Sequence, residues 1–255
     1  MATFYPTPES FKEACGYQLD EFWYPRVTKI MEIKAKPALY RFYGKMNSFE
    51  AGEKMKEKSA TEGTLIHETV EAIMIGQKPE IPSSITPSVR AFLEFTKINN
   101  IQVDPNYVEK RLVNHDERYA GTLDAIALIG GKIGILDIKT SQEIYRDYNL
   151  QTSAYFAALK DIVKGLETRW ILRIDQNKIC KKCGATLRSK GGEDVTRPNR
   201  QNSSSKTCEH EWNEMKGIVE LKEFPYWQND YKAFLGAKKL WEWENDFWLR
   251  KIGYL

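Results

Sequence analysis

A glycine pair sets two aspartates against each other in this chain. In Gly121-Thr-Leu-Asp124-Ala-Ile-Ala-Leu-Ile-Gly130-Gly131-Lys-Ile-Gly-Ile-Leu-Asp137-Ile-Lys139, two apolar runs flank Gly130-Gly131, a short hairpin-turn signal. If Ile129 faces Lys132, counting back along both runs brings Asp124 opposite Asp137. Directly opposed residues of a hairpin have Cβ atoms about 4.5–5.5 Å apart, and like charges so placed repel. A divalent cation between the carboxylates removes the repulsion and supplies a reason for the pair. Lys139 shares the strand face of Asp137, Ile135 and Ile133. That face turns from apolar to Asp and Lys at its end, where a cleft would lie. An isolated Asp-x-Lys is most often an ordinary ion pair on a strand end; the opposed Asp124 sets this one apart.

Two more groups carry chemistry. Cys180-Lys-Lys-Cys183-Gly184 is followed by Cys208-Glu-His210. Three thiolates and an imidazole fit a tetrahedral structural Zn²⁺ site. A redox role for the lone C-x-x-C motif is the alternative. Gln151 and Tyr155 are four apart on an expected helix and share one face, and His67 lies beside an apolar helical stripe.

The elements that must position these residues follow from periodicity and turn residues. Residues 1–60 read as mainly helical, punctuated by Pro25 and Pro37, with one helix over Glu9–Arg26 and another over Ser48–Ser59. Thr61–Met74 reads as a further helix that ends at Gly76, and Val89–Asn99 as another. Strands are expected at Tyr107–Val113, Gly121–Ile129 and Lys132–Ser141, then a helix over Tyr148–Lys164. Thr168–Asp175 and Gly217–Phe224 read as strands that pair with each other, and Asp230–Lys251 as a long helix bearing Trp241, Trp243 and Trp248, which are expected to pack in the core. The whole is expected to be one domain: an N-terminal helical region over 1–60, a core over 61–176 and 215–255, and a metal-binding insertion over 177–214.

Composition bounds the reading. The 255 residues include 42% hydrophobic and 29% charged residues, which excludes a chain disordered throughout. The longest apolar run is too short for a membrane span. The start, MATFYPTPES, has neither the basic and apolar regions of a secretory signal nor the arginines of a transit peptide, so the expected location is cytoplasmic, in a bacterium or in a phage-infected host. With four cysteines and no signal peptide, metal is a better reading than disulfides. A net charge of +3 says nothing about a polyanion partner; any basic surface must come from local clustering.

In order, Gly63-x-x-x-His67, Gly121-x-x-Asp124, Asp137-Ile138-Lys139 and Gln151-x-x-x-Tyr155 resemble the motifs of the RecB-type branch of the PD-(D/E)XK nuclease superfamily. The resemblance covers roughly residues 60–175. Within the superfamily the likeness is greatest to exonucleases of the mitochondrial genome maintenance type and to phage and bacterial exonucleases, carried by GTLDAI, ILDIKTS and LQTSAY. Leu123 stands where many members have proline. The resemblance implies an α/β restriction-endonuclease-like core, a central mixed sheet flanked by helices. It implies that Asp124, Asp137, the Ile138 carbonyl and His67 hold Mg²⁺ or Mn²⁺, a set suited to hard cations. Lys139 would orient or help deprotonate the attacking water, Gln151 and Tyr155 would brace the site and contact the nucleic-acid backbone, and Glu109 is a candidate further acid.

The activity so implied is metal-dependent hydrolysis of DNA phosphodiester bonds, as an exonuclease on single-stranded ends in recombination, repair or phage genome processing, with a recombination or repair protein as partner. An endonuclease of CRISPR-adaptation or restriction type and an inactive DNA-binding module are the alternatives. Some RecB-type nucleases hold an iron–sulfur cluster through one N-terminal and three C-terminal cysteines, a part that Cys15 would play here. Residues 178–211 hold eight Lys or Arg against four Asp or Glu, so the insertion is a candidate DNA contact through Lys181, Lys182, Arg188, Arg197 and Arg200.

Overall fold

The computed structural model describes residues 5–189 and 194–255. The chain opens with α1 (Pro8–Cys15), whose N-terminus Thr7 caps by accepting from the Ser10 N–H. A small hairpin follows, β1 (Gly16–Leu19) and β2 (Phe22–Pro25), then the short α2 (Val27–Ile30) and α3 (Pro37–Tyr43). This hairpin corrects the expectation of helix over Glu9–Arg26. Asp20 turns the chain with φ +52°, and a Cβ on Gly16 would meet the Trp23 ring at 2.3 Å. The two expected helices over 48–74 are one, α4 (Phe49–Met74), capped by Ser48. Next comes α5 (Thr86–Ile98).

The β region runs β3 (Gln102–Val103), β4 (Lys110–Asn114), β5 (Tyr119–Leu123), β6 (Ala125–Ile129) and β7 (Lys132–Lys139). Then follow α6 (Tyr148–Leu159), β8 (Leu166–Ile179), β9 (Thr186–Arg188), β10 (Val195–Arg197), β11 (Lys216–Glu223), α7 (Gln228–Glu244) and α8 (Asp246–Lys251). The expected long C-terminal helix is interrupted at Asn245, and α6 stops five residues before the expected Lys164. The insertion starts later than expected, because β8 continues to Ile179, and it ends where β11 begins at Lys216.

The result is a mixed α/β fold. The central sheet has the order β3-β6-β7-β8-β11, and β8 carries on through its end to β9 and β10. Only β7 and β8 are parallel, and α6 is the crossover between them. The β6–β7 hairpin has the register the glycine pair implies: Ile129 faces Lys132 and Ala125 faces Leu136, with Gly130 and Gly131 both at positive φ. β8 and β11 pair as expected, Gly217 against Gln176.

Each face of the sheet buries its own core. One holds Phe11, Trp23, Leu123, Ile126, Ile135, Tyr155 and Trp241 under α1, α2, α6 and α7; the other holds Ile66, Val70, Val89, Phe92, Leu136, Ile138 and Trp170 under α4 and α5. Trp241 and Trp248 stack on Phe11, as core tryptophans, whereas Trp243 is 76% exposed. No helix among the described residues is long and apolar enough to cross a membrane.

Candidate functional site

The expected single strand over Gly121–Ile129 is two strands in two sheets. β5 pairs with β4, β6 pairs with β7, and Asp124 is the residue between them. Leu123 and Ile126 both face the first core, although a regular strand would turn residues three apart to opposite faces. The chain breaks step once, at Asp124. The carboxylate takes advantage of the gap: Asp124 Oδ2 accepts from the Ile138 N–H at 2.6 Å.

α4 brings His67 to the same place. Its Nε2 lies 3.1 Å from the Ile138 carbonyl and 3.5 Å from Asp124 Oδ2, and its Nδ1 is bonded to Glu71. Burial disfavours the imidazolium, but Asp124 and Glu71 outweigh it and push the ring's pKa up to about 11. Burial likewise works against the Asp124 carboxylate, yet His67 and Lys139 hold its pKa below the usual value.

Asp137 is 1% exposed. Lys139 Nζ stands 2.6 Å from its Oδ2 in a close ion pair. Burial, partly offset by Lys139, pushes Asp137 up to about 6. Lys139 itself loses to burial but gains more from Asp137 and Asp124, and its pKa rises. Its ammonium also lies 5.3 Å from the centre of the Tyr148 ring.

Glu109 lies one residue before β4 rather than on it. Its φ of +50° is in the left-handed region, and its N–H donates to the Asp124 carbonyl at 3.1 Å. This places its carboxylate with His67 and Asp124, ligand atoms all within 4.8 Å of one another. Burial and then Glu71 push Glu109 up to about 7. The expected ligands Asp124, His67 and Ile138 therefore meet, with Glu109 as a closer member of the group than Asp137. Glu71 was missed, though its spacing of four from His67 is the signal that could have found it. His67, Glu109, Ile138 and Lys139 line an open cleft of about 470 Å³.

Gln151 and Tyr155 do share a face of α6, and Gln151 Nε2 donates to Tyr155 Oη at 2.9 Å. The Tyr155 ring lies under Gly121, where a Cβ would meet it at 2.5 Å. Gly121 is there for that close approach.

The insertion gathers Cys180, Cys183, Cys208 and His210, their ligand atoms all within 4.8 Å of one another. Cys183 Sγ is 3.4 Å from His210 Nδ1 and Cys180 Sγ is 4.0 Å from Cys208 Sγ. A tetrahedron with about 2.3 Å metal–sulfur bonds has edges of about 3.8 Å, so the four donors fit a metal ion. Burial raises the Cys180 thiol, but the N–H groups of Cys183 and Lys182 and the His210 ring overcome it and bring it to about 5. Cys15 is elsewhere, in the first core, with its thiol on Tyr5 Oη. The fourth position beside the three cysteines is His210.

Of the basic residues of the insertion, Lys182 and Arg200 are exposed, Lys181 pairs with Glu211 at 2.8 Å, and Arg197 engages Gln142 and Glu143. Arg188 turns inward, contrary to its place among the candidate contacts. Its Nε donates to both Asp175 oxygens at 2.8 and 2.9 Å and its Nη2 to the Thr140 carbonyl at 3.1 Å. Its Nε and Nη2 are thus committed to the fold.

No family model matches the chain, and no curated protein matches it. Among solved structures it is similar to the crystal structure of SSO0001, with 12% identity over 83% of this chain and 73% of that one and a TM-score of 0.35, a likeness too slight to carry an argument.

Proposed function

We propose that the protein is a metal-dependent deoxyribonuclease of the RecB-type PD-(D/E)XK kind, acting as an exonuclease on single-stranded DNA ends. The observation that carries this reading is the cluster of His67, Glu109 and Asp124, whose ligand atoms lie within 4.8 Å of one another beside the Ile138 carbonyl, with His67, Glu109 and Ile138 lining an open cleft. Two carboxylates that converge with a carbonyl oxygen are hard donors, which fit a hard cation. Asp124, Asp137, the Ile138 carbonyl and His67, with Glu109, would hold Mg²⁺ or Mn²⁺. Bound there, the ion supplies Lewis-acid polarisation of the phosphoryl group and makes water more acidic.

The chain's own groups do the rest. Lys139, kept cationic by Asp137 and Asp124, sets positive charge where negative charge develops at phosphorus. Glu109 stands in the cleft as an acceptor for the proton of the attacking water. Tyr155, braced by Gln151, supports the strand ends from below. The preference for single-stranded ends comes from the sequence resemblance. The insertion, in this reading, holds structural Zn²⁺ through Cys180, Cys183, Cys208 and His210; metal analysis tests that assignment, and a brown, iron-containing protein would replace it with a cluster.

The test is cleavage of end-labelled linear single- and double-stranded DNA with Mg²⁺, Mn²⁺ or EDTA, beside Asp137→Asn and a circular single strand. Metal-dependent loss of label by the wild type alone, with the circle intact, is expected. A folded wild type that cleaves nothing with either metal ends the proposal, and a cut circle turns it into an endonuclease.

A further inference from the structure

Two guanidiniums pack on one tyrosine beside β4 and β5. Arg26 Cζ lies 4.5 Å and Arg111 Cζ 4.2 Å from the centre of the Tyr17 ring. Cation–π contact attracts each only weakly to the ring, while the two cations repel each other. Among the described residues, neither is in an ion pair with a carboxylate. Arg26 Nη2 donates to the Glu13 carbonyl, and Arg111 is exposed. The cluster is thus a concentrated positive charge with free donors, the complement of an oxyanion.

Its position is set by β4 and β5. Arg111 faces Thr122 in their ladder, and Tyr17 Oη lies 3.3 Å from Thr122 Oγ1. Arg111 is two residues past Glu109 and Thr122 two before Asp124, about 7 Å of strand on each side. Tyr155 connects the two places: its ring packs against Gly121, the neighbour of Thr122, on the strand that leads to Asp124.

We propose that Arg26 and Arg111, spaced by the Tyr17 ring, form a backbone-phosphate subsite that seats the DNA strand next to the reacting phosphate. This inference rests on the nuclease reading and specifies where its substrate lies. Both arginines touch substrate in this arrangement; neither touches the reacting atoms.

The test uses the full chain carrying Asp137→Asn, with Mg²⁺, and a fluorescein-labelled oligothymidine titrated between about 50 and 200 mM salt. Arg111→Gln is the main variant, because the residue is exposed and its loss leaves the fold intact in a thermal melt; Arg26→Gln is the second. Each is expected to weaken binding roughly tenfold and to reduce the log–log salt slope by about 0.7. In the otherwise wild-type enzyme, Arg111→Gln should raise KM and leave kcat unchanged. A folded Arg111→Gln protein with unchanged affinity, slope and KM, in a chain that does cleave DNA, overturns the subsite alone and leaves the arginines as a clip between β1 and β4. A wild type that neither binds nor cleaves DNA overturns the nuclease reading and the subsite with it.

Discussion

Asp124 and Ile138 are joined by a hydrogen bond of 2.6 Å from the main-chain N–H of one to the carboxylate of the other. The bond stands where the β6–β7 ladder has just ended, at the pair Ala125–Leu136. It holds the Asp124 carboxylate beside the Ile138 carbonyl, which His67 approaches from the opposite layer at 3.1 Å. The end of β7, the β5–β6 junction and α4 thus bring a carbonyl, a carboxylate and an imidazole together.

Asp137→Asn should abolish cleavage, with kcat reduced at least about 100-fold, while the protein remains folded. The carboxylate is disfavoured where it lies, because burial pushes it up to about 6. Removing its charge should leave the metal-free Tm at pH 8 equal or higher. A circular-dichroism melt beside the cleavage assay reads both.

The metal-free protein should lose stability as pH rises from about 5 to 8, and Mn²⁺ should remove that loss. Burial raises Asp137 from 3.8 to about 6 and, with Glu71, raises Glu109 from 4.5 to about 7. An acid whose folded pKa is raised contributes stability that is complete below its unfolded value and lost as pH climbs through the folded one. Thermal melts across that range, with and without Mn²⁺, measure it; a flat metal-free profile would contradict the assignment of these two carboxyls.

Arg188→Ala should reduce turnover by roughly tenfold although the residue lies in the insertion. Its guanidinium connects β9 to the carbonyl of Thr140, the residue after Lys139, and Arg173 braces the same Asp175 at 3.4 Å. Chelating the metal proposed for the four insertion donors should act the same way. Hydrogen exchange at residues 140–143 should quicken in both cases, and unchanged protection there would separate the insertion from the site.

Arg169→Leu should destabilise the fold by about 3–5 kcal/mol. Arg169 is 0% exposed and donates to the carbonyls of Asn149, Phe224 and Tyr226, to Thr152 Oγ1 and to Asp230. It ties β8 to the start of both α6 and α7. Urea unfolding gives the change directly.

Gly121→Ala should cost about 1–3 kcal/mol and move Tyr155, because the new methyl would stand 2.5 Å from the ring. Lower Tm together with reduced activity is expected. A neutral substitution would mean that α6 can shift without consequence for the site.

What the residues alone determined were features written within a few positions of one another. Gly130-Gly131 between apolar runs set the register of β6 and β7, and with it Asp124, Asp137 and Lys139 near one strand end. The spacing of four joined Gln151 to Tyr155, and the C-x-x-C and C-x-H pairs identified the four insertion donors that meet. Turn chemistry and side-chain periodicity are local, so one sequence suffices to read them. The tertiary structure decided the rest. The break in step at Asp124 arises because β5 and β6 pair in different sheets, and a pairing partner is not visible in a strand's own pattern. Glu109 joins the site through a positive φ imposed where its N–H meets Asp124, and Arg188 points inward because Asp175 and Thr140 await it there. The β1–β2 hairpin brings Arg26 and Tyr17 to Arg111 from the far end of the chain. These depend on contacts between segments tens of residues apart, which packing selects and local propensity leaves open.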